Sequence, residues 1–345
     1  MSVDLEPLQP ETAVQMYLDG RKDELADATL KGQKYRLRAF AAWCDEQGIE
    51  NLNELGGRDL YEYRIWRREG GYSEDDTELK TVTLRGQLST VRAFLNFCAS
   101  VDAVPENLAE KVPIPSVSGA GGVSDSTLAP SRALDILDYL ERYHYASRKH
   151  ITVLLAWNTG ARCGGIRGLD VEDVDLGDSP GVEFRHRPDE DTPLKNAEKG
   201  ERWNAISRRV AHTLEDYIDG PRNDLTDEYG RNPLLTTRQG RPSGSTIRDT
   251  IYSVTRPCWR GEECPHDRDV DECEATHYHH ASKCPSSRSP HDVRSGRVTA
   301  YRREDVPREI VSDRLNASEQ VLDRHYDRRS EREKSEQRRK YLPNT

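Results

Sequence analysis

Fifteen consecutive residues, Val112 to Ser126, read VPIPSVSGAGGVSDS and constrain this chain more than any other stretch. Proline, glycine and serine dominate the run, and almost nothing in it builds a core, so it reads as a linker. It divides the chain into a first domain at residues 8–112, a linker at 113–127 and a second domain at 128–345. The whole length of 345 residues suits two domains at about 150 residues each. Fully extended, such a tether spans about 50 Å at ~3.3 Å per residue.

Before the linker the apolar spacing is helical. Leu30, Leu37, Phe40, Ala41 and Cys44 recur at helical intervals between Thr29 and Gly48, and Gly48 is placed to end the helix. Asp59 is placed to cap a second helix carrying Leu60, Tyr63 and Trp66. Thr81 or Thr83 starts a third, with Leu84, Leu88, Val91, Leu95 and Cys98 on one face. This pattern predicts an all-helical module. After the linker, helical patterns cover Ser131 to Tyr145 and Lys149 to Asn158. Val182 to His186 and Arg202 to Ser207 are short strand-like runs around a polar turn, and helix returns after Pro233. The expected fold class is mainly α, with a small antiparallel sheet in the second domain. No solenoid-type repeat is present. The charge run Asp327 to Lys340 reads as a solvated helix.

Composition excludes one class outright. Charged residues make up 32% of the chain, and its longest apolar run, Ala39 to Cys44, falls far short of a membrane span, which needs about 20 residues. The N-terminus lacks a basic-then-apolar signal, so the expected location is cytoplasmic, with reduced cysteines. A net charge of −10 argues at first against nucleic acid. Against that, the chain holds 40 arginines but only 11 lysines, and its basic residues cluster. Low lysine, abundant acid and low hydrophobicity are expected of a salt-rich, archaeal halophile-like cytoplasm. There, net charge reports solubility and not the binding face.

Four pieces of the second domain carry chemistry: TGARCGGIRGLDVEDVDL from Thr159, TPLKNAEKGERWNAIS around Lys195, PHDVRSGRVT from Pro290, and RLNASEQVLDRHYDRR from Arg314. In order and content they resemble the catalytic domain of the tyrosine recombinases, also called phage-type integrases or Xer-like recombinases. That family reads T-G-x-R, a lysine on a β-hairpin, H-x-x-R, and a tyrosine some thirty residues later; here 32 positions separate Arg294 from Tyr326. The first domain and linker resemble the family's helical arm, a SAM-like core-binding domain of four-helix type.

The resemblance implies a set of roles. Arg162 and Arg294 would clamp the scissile phosphate, since a guanidinium fork binds two oxygens and stays charged. His291, three residues before Arg294 on one helical face, would reach the same phosphate or take the nucleophile's proton. Tyr326 would be the nucleophile; tyrosine is a poor one alone, because its ordinary pKa is ~10. Lys195 would protonate the leaving 5′ oxygen, with Lys199, four residues on in the same turn, as the alternative. The 3′-phosphotyrosine stores the energy of the broken bond, so the chemistry needs no cofactor. Double-stranded DNA is the implied partner, bound by two or four copies of the chain, in integration, excision or dimer resolution.

The chain departs from the family pattern twice. Leu315-Asn316-Ala317 stands where a leucine, a glycine and a histidine or tryptophan donor are usual, and Gly165 stands where an acid often braces the site. These departures keep open a DNA-binding regulator or architectural protein built on a recombinase scaffold.

The family pattern does not cover residues 257–289. Cys258, Cys264, Cys273 and Cys284 fall there among His266, His277, His279 and His280. Four reduced thiols this dense point to one structural zinc, held by all four cysteines or by three with His266 or His277. The spacing matches no zinc ribbon, and an unliganded loop with cysteines packed as small hydrophobes is the other reading. A zinc hydrolase has no support, since no HExxH-like motif occurs.

Overall fold

The computed structural model describes residues 5–73, 77–117, 126–326 and 329–339. The chain forms two compact units, Met1–Val123 and Ser124–Thr345. The middle of the linker, residues 118–125, lies outside the described residues.

The first unit contains α1 (Pro10–Asp19), α2 (Asp27–Glu46), α3 (Gly57–Arg68) and α4 (Thr81–Ser100). Its core takes Leu37, Phe40, Trp43 and Cys44 from α2, Leu60 and Tyr63 from α3, and Leu84, Leu88, Val91, Phe94, Leu95 and Cys98 from α4. Phe40 is central: its ring meets Tyr63 edge-on at 5.1 Å and Phe94 at 6.0 Å, the geometry that aromatic quadrupoles favour. Two details differ from the sequence reading. The sequence reading has no counterpart to α1, although Pro10 starts it and Ala13, Val14, Tyr17 and Leu18 are buried. Gly56, not Asp59, is the N-cap of α3; Asp59 sits a turn inside, and its carboxylate accepts the Gly56 N–H at 2.7 Å.

The second unit begins with α5 (Pro130–Tyr143), α6 (Arg148–Thr159) and α7 (Cys163–Gly168). A three-stranded antiparallel sheet follows, β1 (Val174–Asp175), β2 (Gly181–Phe184) and β3 (Arg202–Ala205), in that spatial order. Phe184 pairs with Arg202 and Val182 with Asn204. Then come α8 (Arg208–Asp219), α9 (Gly244–Val254), α10 (Pro290–Arg303), α11 (Arg308–Leu315), α12 (Glu319–His325) and α13 (Glu331–Arg339). The architecture is therefore mainly α with a small antiparallel sheet, as the pattern predicts, with β1 as an addition.

Helix α6 is buried on nearly every side, from His150 to Trp157, and so forms the hub. Helix α10 lies beside it although it is polar: Asp292, Arg294, Ser295 and Thr299 are all buried. Buried polar groups are costly unless bonded, and each of these side chains makes bonds, with Arg294 Nε alone among their buried atoms lacking a partner. Asp292 accepts from Ser289 N at 2.7 Å and from Ser126 Oγ at 2.7 Å, which closes the α10 N-terminus. Gly296 lets the chain cross tightly, because a Cβ there would lie 2.0 Å from the Leu128 carbonyl oxygen. A separate cluster of Val298, Tyr301, Val311, Leu315, Leu322 and Tyr326 packs α11 and α12 onto α10.

Candidate active site

The site is assembled where α6 ends. Gly160 closes that helix in the left-handed conformation (φ +61), which glycine adopts without strain. The turn leaves Arg162 half-buried at the N-cap of α7 and directs the Gly160 carbonyl toward α10. There Arg294, only 2% exposed, donates Nη1 to Gly160 O at 2.6 Å and Nη2 to Leu315 O at 2.8 Å. One guanidinium thus ties α6 to the end of α11. Burial pushes Arg294 down to about 10, with the phenol of Tyr326 acting against this shift and the charge of Arg162 adding to it. It stays protonated at neutral pH.

Tyr326 follows α12 and is 5% exposed. Its carbonyl accepts from Ser295 Oγ at 3.3 Å and Thr299 Oγ1 at 3.2 Å, both on α10. Its ring lies 5.0 Å from that of His291 and 5.1 Å from the Arg294 guanidinium carbon. Arg162, His291, Arg294 and Tyr326, spread over more than 160 positions, are therefore brought together.

Lys195 is exposed on the β2–β3 turn and does not line the neighbouring cleft. That cleft, of about 730 Å³, is lined by Asn196, Lys199, Glu201, Arg202, Ser312, Asp313, Asn316, Ala317 and Ser318. Lys199, four residues on, is the turn lysine that faces it.

Nothing in the sequence pattern singles out Arg202, the first residue of β3. Its Nε donates to Arg314 O at 2.9 Å and its guanidinium stacks 4.2 Å over Phe184. Burial, and then the charges of Arg294, Arg162 and Arg314, push it down to about 10. Guanidiniums gathered against their mutual repulsion make this region locally positive. The same Phe184 explains Gly165: a Cβ there would come within 3.2 Å of its ring.

The Cys/His segment is a chain of short 3₁₀ turns held mostly by polar contacts. Arg256 donates to Ala275 O, His279 meets Asp249 at 2.9 Å, and His266 meets Ser286 at 2.9 Å. All four cysteines carry free thiols; Cys284 is buried, the other three are half-buried, and His277 is exposed. Among the described residues, no three His, Cys, Asp or Glu side chains are grouped to hold a metal ion. The thiols do lie within electrostatic reach of one another. Burial raises Cys258, Arg256 opposes this, and Cys284, Cys264 and Cys273 add to it.

No family model matches the chain. In sequence it is 26% identical over 244 residues to tyrosine recombinase XerD of Mycobacterium tuberculosis, covering 67% of this chain and 72% of that protein. It is 27% identical over 172 residues to XerD of Mycobacterium leprae, covering 48% of this chain and 54% of that protein. Among solved structures it matches the Tn1549 transposon integrase in complex with a circular intermediate DNA, with TM-score 0.66, 12% identity, and coverage of 97% of this chain and 100% of that one. It also matches a lambda integrase dimer bound to a COC′ core site, with TM-score 0.58, 12% identity, and coverage of 96% and 77%. The fold is that of the integrases, and the similarity to XerD supports placing this chain in the tyrosine recombinase/integrase family.

Proposed function

We propose that this chain is a site-specific DNA recombinase that cuts and rejoins strands through a 3′-phosphotyrosine. The observation that carries this reading is the packing of Tyr326 against Arg294 and His291, with Arg162 beside them. Tyr326 Oη forms a bond to the scissile phosphorus, and the P–O5′ bond breaks. The phenol proton passes to His291. The electron pair of the broken bond goes to the 5′ oxygen, which takes a proton from a lysine of the β2–β3 turn. Arg162 and Arg294 bear the charge that builds on the non-bridging oxygens. Attack by the 5′ hydroxyl of another strand reverses the sequence, so neither metal nor nucleotide enters.

Double-stranded DNA as substrate is supported by two of the matched integrases, whose structures contain DNA, and one of these is a dimer. Two or four copies would bring a pair of sites together, in integration or excision of a mobile element or in resolution of joined replicons. No described helix is long and apolar enough to cross a membrane.

A second reading, a DNA-binding protein that does not cut, is favoured by Ala317 in place of a donor and by Gly165 in place of an acid. Nicked suicide substrates separate the two. Covalent protein–DNA adducts that survive denaturant and vanish in Tyr326→Phe are the expected result; no adduct from the unchanged protein leaves the binding-only reading.

A further inference from the structure

We propose that Asn316 is a positioning residue whose side-chain amide latches the β2–β3 turn, so that Lys199, and not Lys195, is the acid for the departing 5′ oxygen. This rests on the recombinase reading and assigns one of its roles.

Asn316 ends α11 in the left-handed conformation (φ 49, ψ 63). Asparagine tolerates that conformation better than other side-chain-bearing residues, so it can replace the glycine of the family pattern without disturbing the turn. Unlike glycine, it brings an amide with one acceptor and one donating nitrogen, and both ends are used. Oδ1 accepts from Asn196 Nδ2, and Nδ2 donates to the carbonyl oxygen of Lys199. The backbone carbonyl of Asn316 also accepts from Arg162 Nη1 at 3.5 Å. One residue therefore holds two points of the lysine turn and touches a phosphate-clamping arginine.

The grip is on Lys199's own peptide, and Lys199 lines the cleft with Arg202, Asn316 and Ala317. Ala317 is short, which leaves this part of the cleft open where the family pattern has a ring donor. Lys195 lies outside both the latch and the lining. A second hold sits on β3, where Arg202 Nε and Asn204 Nδ2 both donate to Arg314 O, at 2.9 and 3.0 Å. The second half of the turn, from Asn196 into β3, is thus fastened to the C-terminal end of α11.

The chemical step has a specific probe. As Tyr326 Oη bonds to phosphorus, Lys199 Nζ gives its proton to the leaving 5′ oxygen. If that bridging oxygen is replaced by sulfur, the leaving group is a thiol, with a pKa of about 8.5, and departs without an acid. The experiment measures single-turnover adduct formation on oxygen and 5′-bridging phosphorothiolate substrates, using the full chain. Lys199→Ala is expected to lose about 10²–10⁴-fold on oxygen and to recover on sulfur. Asn316→Gly keeps the left-handed turn unstrained; it is expected to lose about 10–100-fold on oxygen and also to recover on sulfur. A purely structural Asn316 would slow both substrates equally, and that result overturns the latch. Sulfur rescue of Lys195→Ala in place of Lys199→Ala overturns the lysine assignment. If the unchanged protein forms no adduct with either substrate, the recombinase reading falls and the latch falls with it.

Discussion

At the scale of single residues, buried ionisable groups mark both units, but for different reasons. Arg294 is buried because its guanidinium bridges two main-chain carbonyls, Gly160 and Leu315. Its type and its place in H-x-x-R are legible in the sequence; those two carbonyl partners are not. In the first unit, Cys44 and Cys98 behave as small hydrophobes. Burial pushes both thiols up to about 12 from an ordinary value of 9.0. The sign follows from linkage: above pH 9 the unfolded chain gives up these protons while the folded chain keeps them. Their contribution to stability is therefore full below about pH 9 and is lost as pH rises toward 12. Melting temperature against pH should fall across that window, and Cys44→Ala with Cys98→Ala should flatten the fall. A pH profile identical in the double variant would refute the assignment.

At the scale of elements, the helices divide into those that advertise themselves and those that do not. Helices α2, α3 and α4 each bury one mainly apolar face, with Arg67, Gln87 and Thr90 as the polar members, so their spacing exposes them in the sequence. Helix α10 buries Asp292, Arg294, Ser295 and Thr299 instead, and no apolar stripe reveals that it is central. Arg294 bonds to main-chain carbonyls of Gly160 and Leu315, Ser295 and Thr299 to that of Tyr326, and Asp292 to Ser289 and Ser126. The segment 257–289 poses the same question without periodicity. Its zinc is proposed on cysteine content, and metal analysis of purified protein decides it. About one zinc per chain, with a melting temperature lowered by chelation, is the result that content calls for. Metal-free protein of unchanged stability would leave the segment to contacts such as Arg256 with Ala275 and His279 with Asp249.

At the scale of the molecule, a net charge of −10 coexists with a local group of arginines, in which Arg294, Arg162 and Arg314 act electrostatically on Arg202. Net acidity weakens long-range attraction to a polyanion, so a DNA partner would be held mainly by the local arginines. DNA affinity should therefore depend on salt less steeply than the log–log slope of about −5 to −9 expected for six to ten phosphate contacts. Filter binding or fluorescence anisotropy across potassium chloride concentrations measures it, and a slope in or beyond that range would refute the argument.

By itself the sequence determined the helical periods and the order of Arg162, His291, Arg294 and Tyr326, because each is a local pattern of residue types. Only the tertiary structure decided that Lys199 and not Lys195 faces the cleft, that Arg202 joins the arginines, and that Asn316 grips the turn. The physical reason is that a side chain's period reports which face of its own element is buried. The partner of a polar group, by contrast, is chosen by the path of the chain across more than a hundred intervening residues, as between Asn196 and Asn316.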